Sequence, residues 1–158
     1  MSDDEKRPFA ENFHAHDQRA NAAFAKGDFG SAAGLYRQAN EARGAFEENA
    51  TRACALYGEA ASALMLGEIE TYMSKMAQAR EKFADITKDD DESELETAMD
   101  NLTYAADQLE GLTDDQRDLV IAKMTESVVQ RGGANGGVKH TNFRDIADMA
   151  MVEVREDI

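Results

Sequence analysis

The chain has 158 residues, 42% of them hydrophobic and 31% charged, which is typical of one globular domain with its own core and excludes a disordered chain. Acidic residues number 32 against 17 basic ones, and the net charge of −15 argues against binding to nucleic acid or to an anionic membrane surface. The acids are spread along the whole chain. This pattern favours a basic protein partner and is compatible with a halophilic source.

Two features bear on location and redox chemistry. Cys54 is the only cysteine, so an intramolecular disulfide is excluded, and no histidine lies near it in sequence to make a catalytic pair. The first residues, MSDDEKRPF, lack the apolar segment of a signal peptide, and no run approaches the ~18 apolar residues of a membrane span. We therefore expect a cytoplasmic protein without a membrane segment.

The first half of the chain predicts helices. Residues 1–8 are polar and expected to be disordered, whereas residues 9–158 are expected to form one helical domain. Helical spacing from Phe9 predicts a first helix that ends at Gly27, after which Asp28 caps the next. Two heptad series from Ser31 to Leu66 allow either one long helix or two helices that break near Gly44, and the repeat described below favours the break.

The second half continues the helical pattern. A helix after Gly67 is followed by an acidic loop over residues 87–92, and a capping-box spacing at Ser93 opens the next helix. Gly111 followed by Leu112 predicts a Schellman stop.

Thr113 and Gln116 predict a second capping box, and the glycine-rich residues 132–137 are expected to end the helix that follows. Thr141 or Asn142 then starts the last helix. Six or seven helices and no convincing strand make the predicted fold all-α.

We expect the chain to be organised around Ala20–Ala39. This stretch has the small residue Ala20 in a first helix, a turn at residues 27–29, and Ala32, Tyr36 and Ala39 in a second helix. At these positions it resembles a tetratricopeptide repeat (TPR). A degenerate second copy has its turn at residues 66–69. In that copy the small residue Ala60 corresponds to Ala20, Met76 to Tyr36 and Ala79 to Ala39, while Tyr72 stands where Ala is expected. The two turns lie 40 residues apart, whereas the family repeats every 34.

The resemblance implies antiparallel helical hairpins over residues 9–86, as a short TPR-like solenoid or helical bundle, with further helices over residues 93–158. It also implies a protein-binding groove lined by the first helix of each hairpin. The candidate partner-binding residues are His16, Asn21, Asn49, Arg52 and Tyr57. Asn21 matches one position of the family's carboxylate clamp, but Asp17 replaces a required Lys. We therefore do not expect this chain to clamp a carboxylate, and we expect a basic or amphipathic helical ligand.

Three patterns resemble chemical sites without completing one. Glu11-x-x-His14 has metal-ligand spacing, but His140 provides no second copy of the motif. The acidic residues 85–96 lack the Gly of an EF-hand, and the loop at 132–141 lacks the P-loop spacing and a preceding strand. We therefore predict no catalytic residues, no metal and no cofactor.

The sequence accordingly predicts a non-enzymatic protein-protein interaction module, an adaptor or chaperone-like protein, that binds a helical or basic segment of another protein. The alternative is a structural subunit of a homo-oligomeric helical assembly. The double heptad series favours this alternative, because its many Ala residues would allow close packing between copies.

Overall fold

The computed structural model describes residues 18–42, 49–84, 93–135, 138 and 141–157, with side chains described for 18–41, 53–84, 94–130, 138 and 141–154. Within these ranges the chain forms seven helices and no strand, which confirms the all-α prediction. The helices are α1 (18–25), α2 (Phe29–Ala42), α3 (Asn49–Met65), α4 (Ile69–Ala84), α5 (Ser93–Glu110), α6 (Asp114–Asn135) and α7 (Phe143–Asp157). The predicted disordered residues 1–8, and the acidic loop at 87–92, lie outside the described residues.

The double heptad series is divided between two helices. α2 ends at Ala42, α3 begins at Asn49, and the two helices pack against each other. The region therefore contains two packed helices and not one long helix, while Gly44, where the break was predicted, lies outside the described residues. Gly58 of α3 lies against the ring of Tyr36 on α2, so closely that a Cβ built on Gly58 would be 2.6 Å from the ring. A residue without a side chain at position 58 thus allows α2 and α3 to approach closely.

The turns at Gly27 and Gly67 share one geometry. Gly27 has φ +82°, its N–H donates to the Phe24 carbonyl at 3.0 Å, and the Asp28 N–H donates to the Ala23 carbonyl at 3.0 Å. The same pair of bonds surrounds Gly67, which has φ +78°, at 3.0 and 2.9 Å. Both turns are Schellman motifs, in which glycine takes the left-handed conformation at the helix end.

Burial follows the same 40-residue offset as the turns. The four predicted pairs of equivalent positions are all buried, with exposed fractions of 6% or less. The pairs are Ala20 with Ala60, Ala32 with Tyr72, Tyr36 with Met76, and Ala39 with Ala79. The hairpins α1–α2 and α3–α4 are therefore alike in turn geometry and in the positions that they bury.

The structural centre of the molecule is α3, and not the Ala20–Ala39 stretch expected from the sequence. Residues 55–65 are all buried, and α3 packs against α2, α4, α5 and α6. Cys54 is half-buried at the edge of this core. A helix that is covered on all sides must be apolar or small all round, which explains why Ala is so frequent in α3.

Local capping starts several helices as predicted. The Thr113 N–H donates to Gln116 Oε1 at 3.1 Å, and the Gln116 N–H donates back to Thr113 Oγ1 at 3.2 Å, which completes a capping box. Asn142 caps α7 by accepting from the Asp145 N–H at 3.2 Å. Asp28 caps α2 in the same way.

One predicted helix end differs from the structure. Gly111 follows α5 without the positive φ of a Schellman motif, since Gly27 and Gly67 alone have that conformation among the described residues. The helix α6 ends at Asn135, inside the glycine-rich residues 132–137, as predicted. It continues through Gly132 and Gly133, because glycine in a helix costs only about 1 kcal/mol relative to alanine, which tertiary contacts elsewhere in the helix can outweigh.

The helix α6 crosses the turn ends of both hairpins. A Cβ built on Gly67 would lie 3.9 Å from Ile121 Cδ1, and one built on Gly27 would lie 3.1 Å from Val129 Cγ2 and 3.4 Å from Thr125 Cγ2. Ile121, Thr125 and Val129 follow at intervals of four residues and so form one stripe along the helix. This stripe fixes the C-terminal helices against the two hairpins.

Candidate functional site

The structure places two of the five predicted partner-binding residues. Asn21 lies on α1 and is half-buried, and Tyr57 lies on α3 and is fully buried. Asn49 and Arg52 belong to the first turn of α3, but their side chains lie outside the described set, and His16 lies outside the described residues altogether. The geometry of the predicted groove is therefore defined by Asn21, Tyr57 and their neighbours.

Both placed residues contact the main chain of Val138, which follows α6. The Val138 N–H donates to Asn21 Oδ1 at 3.4 Å, and the Tyr57 hydroxyl donates to the Val138 carbonyl at 3.4 Å. The Tyr36 hydroxyl also donates to Asn21 Oδ1. Asn21, Tyr36, Tyr57 and Val138 are called the Val138 cluster below. It joins α1, α2 and α3 to a residue that is 117 positions from Asn21 in sequence.

The Val138 cluster is uncharged. Burial is the main cause that raises the pKa of the Tyr57 hydroxyl far above its ordinary value, with smaller contributions from Tyr72 and Cys54. Tyr57 therefore keeps its proton at neutral pH and acts as a donor to the carbonyl. The side chain of Val138 itself is 4% exposed. The arrangement is suited to holding peptide main chain and not to proton transfer with an ionised group.

Aromatic packing extends this contact towards α7. The ring of Phe24 on α1 lies edge-on to Phe29 of α2, with centroids 4.9 Å apart, and edge-on to Phe143 of α7, with centroids 6.0 Å apart. All three rings are buried. Val138 and Phe143, which follow α6, therefore pack against α1, and Val138 also contacts α3.

A second polar group is buried on α3 at Glu59, which is 5% exposed. Its Oε1 lies 3.6 Å from Lys75 Nζ of α4, while Oε2 and the hydroxyl of the buried Ser62 have no hydrogen-bond partner among the described residues. Burial is the largest influence on the Glu59 carboxyl and raises its pKa, whereas Lys75 and Arg37 lower it.

Metal-ligating side chains do not cluster within the described part of the chain. The candidate pair Glu11 and His14, and also His140, fall outside it, so their geometry is not described. A surface cluster between α5 and α7 joins Tyr104 to Asp148 at 2.7 Å and places the Arg144 guanidinium 4.1 Å from the Tyr104 ring centroid. These contacts hold the two helices together.

Sequence reasoning did not identify Tyr36, Gly58 and Val138 as parts of one site. The sequence pattern places Tyr36 at a position of the repeat and Val138 in a loop without P-loop spacing, so it does not link the two residues. The one signal in the sequence was an isolated aliphatic residue between glycines and a Lys-His pair. Such a residue is a candidate for insertion into a core, but its partners are set by tertiary contacts.

None of the described helices is both long and apolar enough to span a membrane. Comparison of the chain with protein-family models, with curated proteins and with solved structures found no match.

Proposed function

We propose that this protein is a non-enzymatic protein-protein interaction module, an adaptor or chaperone-like protein with two TPR-like hairpins. Its ligand is a basic or amphipathic segment of another protein, and the proposal keeps the cytoplasmic location and the salt adaptation expected from the sequence. The repeated Schellman turns at Gly27 and Gly67 and the matched buried positions support a repeat of this kind. The excess of acidic over basic residues supports a basic ligand.

The observation that carries the proposal is the capture of Val138 by side chains of two repeat helices. Asn21 and Tyr57 lie on the first helices of the two hairpins, and both hydrogen-bond to main-chain atoms of one residue outside those hairpins. A face that holds peptide main chain through neutral donors and acceptors has the chemistry of a peptide-binding surface.

The test is direct binding of a basic amphipathic peptide, measured by fluorescence anisotropy with the purified chain. We expect saturable binding of a peptide rich in Lys and Leu, and no binding of the same peptide with Glu in place of Lys. The affinity is expected to fall when KCl is raised from about 0.1 M to about 1 M, because salt screens the attraction between opposite charges. Equal binding of both peptides, or of neither, would contradict the proposal.

The alternative proposal is a structural subunit of a homo-oligomeric assembly. Exposed apolar side chains favour it: Met73 on α4 is 62% exposed, and Met149 and Val152 on α7 are 43% and 52% exposed. The two proposals are distinguished by size-exclusion chromatography with light scattering, run at low and at multimolar salt. A discrete oligomer that Met73→Lys or Val152→Lys dissociates would favour the structural subunit, whereas a monomer under both conditions would favour the adaptor.

A further inference from the structure

We propose that one exposed face of α4 binds a basic amphipathic helical segment of a partner protein. The residues of this surface, called the α4 face below, lie on one stripe of the helix or in the turn that opens it: Leu66, Ile69, Glu70, Met73 and Ala77. The inference rests on the proposed binding function and gives it a surface that is open to a partner, because Asn21 and Tyr57 already hold Val138.

The α4 face is apolar along its middle. Ile69, Met73 and Ala77 follow at intervals of one helical turn, so their side chains lie in one row. Met73 is 62% exposed, the largest fraction among the large apolar side chains that the structure describes, and Leu66 in the preceding turn is 45% exposed. Ile69 packs partly against the core, and Ala77 is exposed. A row of this kind is what the apolar side of an amphipathic helix contacts.

Acidic side chains without a basic partner border this row. Glu70 is three residues before Met73 and is therefore its neighbour on the helix surface, and Glu68 lies in the turn just before α4. Both are exposed, and neither forms a salt bridge with a described residue. The adjacent helix adds to this charge: burial is the main cause that raises the pKa of Tyr72, and Asp107 on α5 raises it further.

The two nearest basic residues of α4 are already paired. Lys75 Nζ lies 3.6 Å from Oε1 of the buried Glu59. Arg80 Nη2 lies 3.4 Å from Asp100 Oδ1 and donates to Thr103 Oγ1 at 2.9 Å, both on α5. The α4 face therefore has an excess of negative charge, which cations of a partner would complement.

The exposed apolar residues of α7 have a different setting. Met149 is 43% exposed, and acidic residues lie one turn before and one turn after it. Each of these already has a polar partner within the chain, since Asp145 accepts from Asn142 Nδ2 at 3.1 Å and Glu153 lies 3.9 Å from Lys123 Nζ. Charge complementarity therefore favours α4 over α7, and Met149 is a matched control for Met73.

A second copy of the chain is poorly suited to this face. A two-fold symmetric contact is formed by the same residues on both sides, so it would bring Glu68 and Glu70 of one copy towards those of the other. Like charges in a contact oppose association. A basic amphipathic helix instead places its cations beside these carboxylates and its apolar side chains over Ile69 and Met73.

The experiment measures binding of the Lys- and Leu-rich peptide described above to purified variants, by fluorescence anisotropy in about 0.1 M KCl. Met73→Gln should weaken binding by at least about tenfold, because a polar side chain of similar size replaces the apolar contact. Met149→Gln on α7 makes the same chemical change outside the α4 face, and its affinity should stay within about twofold of that of the wild type.

Removal of a negative charge tests the electrostatic part. Glu70→Gln should weaken binding by about threefold in about 0.1 M KCl, and by less in about 1 M KCl, because salt screens the attraction. Glu96→Gln is the control for the lost charge. Glu96 is exposed and lies one turn before Asp100, which contacts Arg80 at the opposite end of α4 from Glu70.

The outcomes separate this inference from the binding function on which it rests. If the wild type binds the peptide and Met73→Gln and Glu70→Gln bind it equally well, the binding function stands and the α4 face is the wrong surface. If the wild type does not bind the peptide, both proposals fail. A wild-type dimer that Met73→Gln dissociates would show that a second copy covers this face, and would also overturn the inference.

A second measurement locates the peptide on the wild-type chain. Nuclear magnetic resonance of isotope-labelled methionine methyl groups follows each Met separately, and the Met73 signal is assigned by its absence in Met73→Leu. Addition of the peptide should shift the Met73 signal and leave that of Met149 unchanged. A shift of the Met149 signal alone would place the peptide on α7 and overturn the inference.

Discussion

At the scale of single residues, the pair Tyr36 and Gly58 determines how closely α2 and α3 approach. Three atoms of the Tyr36 ring lie within 2.7 Å of the position that a Cβ on Gly58 would take. The same ring carries the hydroxyl that donates to Asn21. Close packing at Gly58 therefore supports the Val138 cluster as well as the core.

Replacement of Gly58 by Ala should destabilise the protein. Overpacking lowers the free energy of unfolding by about 1–3 kcal/mol, and the better helix propensity of Ala offsets about 1 kcal/mol of this loss. Gly34→Ala on α2 is the matched control, because a Cβ there meets no atom within 4 Å and should stabilise the helix by about 0.5–1 kcal/mol. Urea denaturation checks both values, and equal stability of the two variants would show that the ring can move aside.

Glu59 should make stability depend on pH. Burial is the main cause that raises the pKa of this carboxyl above its ordinary value of 4.5, so the folded protein keeps the proton to a higher pH than the unfolded chain does. Between these two pKa values the folded state binds more protons, and the free energy of unfolding falls as the pH rises. Glu59→Gln removes this loss, so the variant should gain stability relative to the wild type as the pH rises from about 4 to about 8.

Urea denaturation of both chains across this pH range tests the prediction. Glu81→Gln, at an exposed position on α4, is the control for removal of one negative charge. Parallel stability curves for the wild type and Glu59→Gln would show that Lys75, 3.6 Å from the carboxyl, fully compensates for its burial.

At the scale of elements, the two Schellman turns set the path of each hairpin and provide the surface that α6 crosses. Gly27 and Gly67 both have positive φ, but they differ in what surrounds them. The Cβ position of Gly27 is 3.1 Å from Val129, whereas that of Gly67 has its nearest atom, on Ile121, at 3.9 Å. Backbone strain and contact with α6 can therefore be measured separately.

Gly67→Ala should lower the free energy of unfolding by about 1–2 kcal/mol, because a residue with a Cβ is strained in the left-handed conformation. Gly27→Ala should cost more, because the added methyl also presses on Val129. Gly111→Ala should cost little, since Gly111 has neither a positive φ nor an atom within 4 Å of its Cβ position. Thermal unfolding ranks the stability of the three variants. An equal loss of stability in Gly27→Ala and Gly67→Ala would show that α6 moves to accommodate the methyl group added at Gly27.

At the scale of the whole molecule, charge is the dominant feature. Acidic residues outnumber basic ones by 32 to 17, and the ion pair between Arg80 and Asp100 is exposed on both sides. Exposed pairs contribute little to stability, so mutual repulsion between carboxylates opposes the compact state.

Raising KCl from about 0.1 M to about 2 M should increase the melting temperature, because the Debye length falls from about 10 Å to a few Å. A chain with Glu81→Gln, Asp118→Asn and Glu126→Gln, all at exposed positions, should show a weaker dependence on salt. Circular dichroism measures both chains. A melting temperature that stays constant with salt, or the same dependence in both chains, would argue against repulsion as the cause.

The local sequence was sufficient to predict the fold class and several helix starts. Asp28, Thr113 and Asn142 cap helices as predicted, because each cap joins residues three positions apart in the chain. The turns at Gly27 and Gly67 follow from glycine's access to positive φ. The same reasoning failed at Gly111, where the helix ends without the positive φ of the predicted Schellman motif.

The all-α class, the repeated hairpin turns and the acidic surface could therefore be predicted from the chain alone, since these depend on spacing, propensity and composition. The central position of α3 is visible only in the folded molecule, and so is the contact of Asn21 and Tyr57 with Val138, which lies 117 and 81 residues away from them. Contacts over such separations depend on how whole helices pack, and no local pattern in the chain encodes that packing.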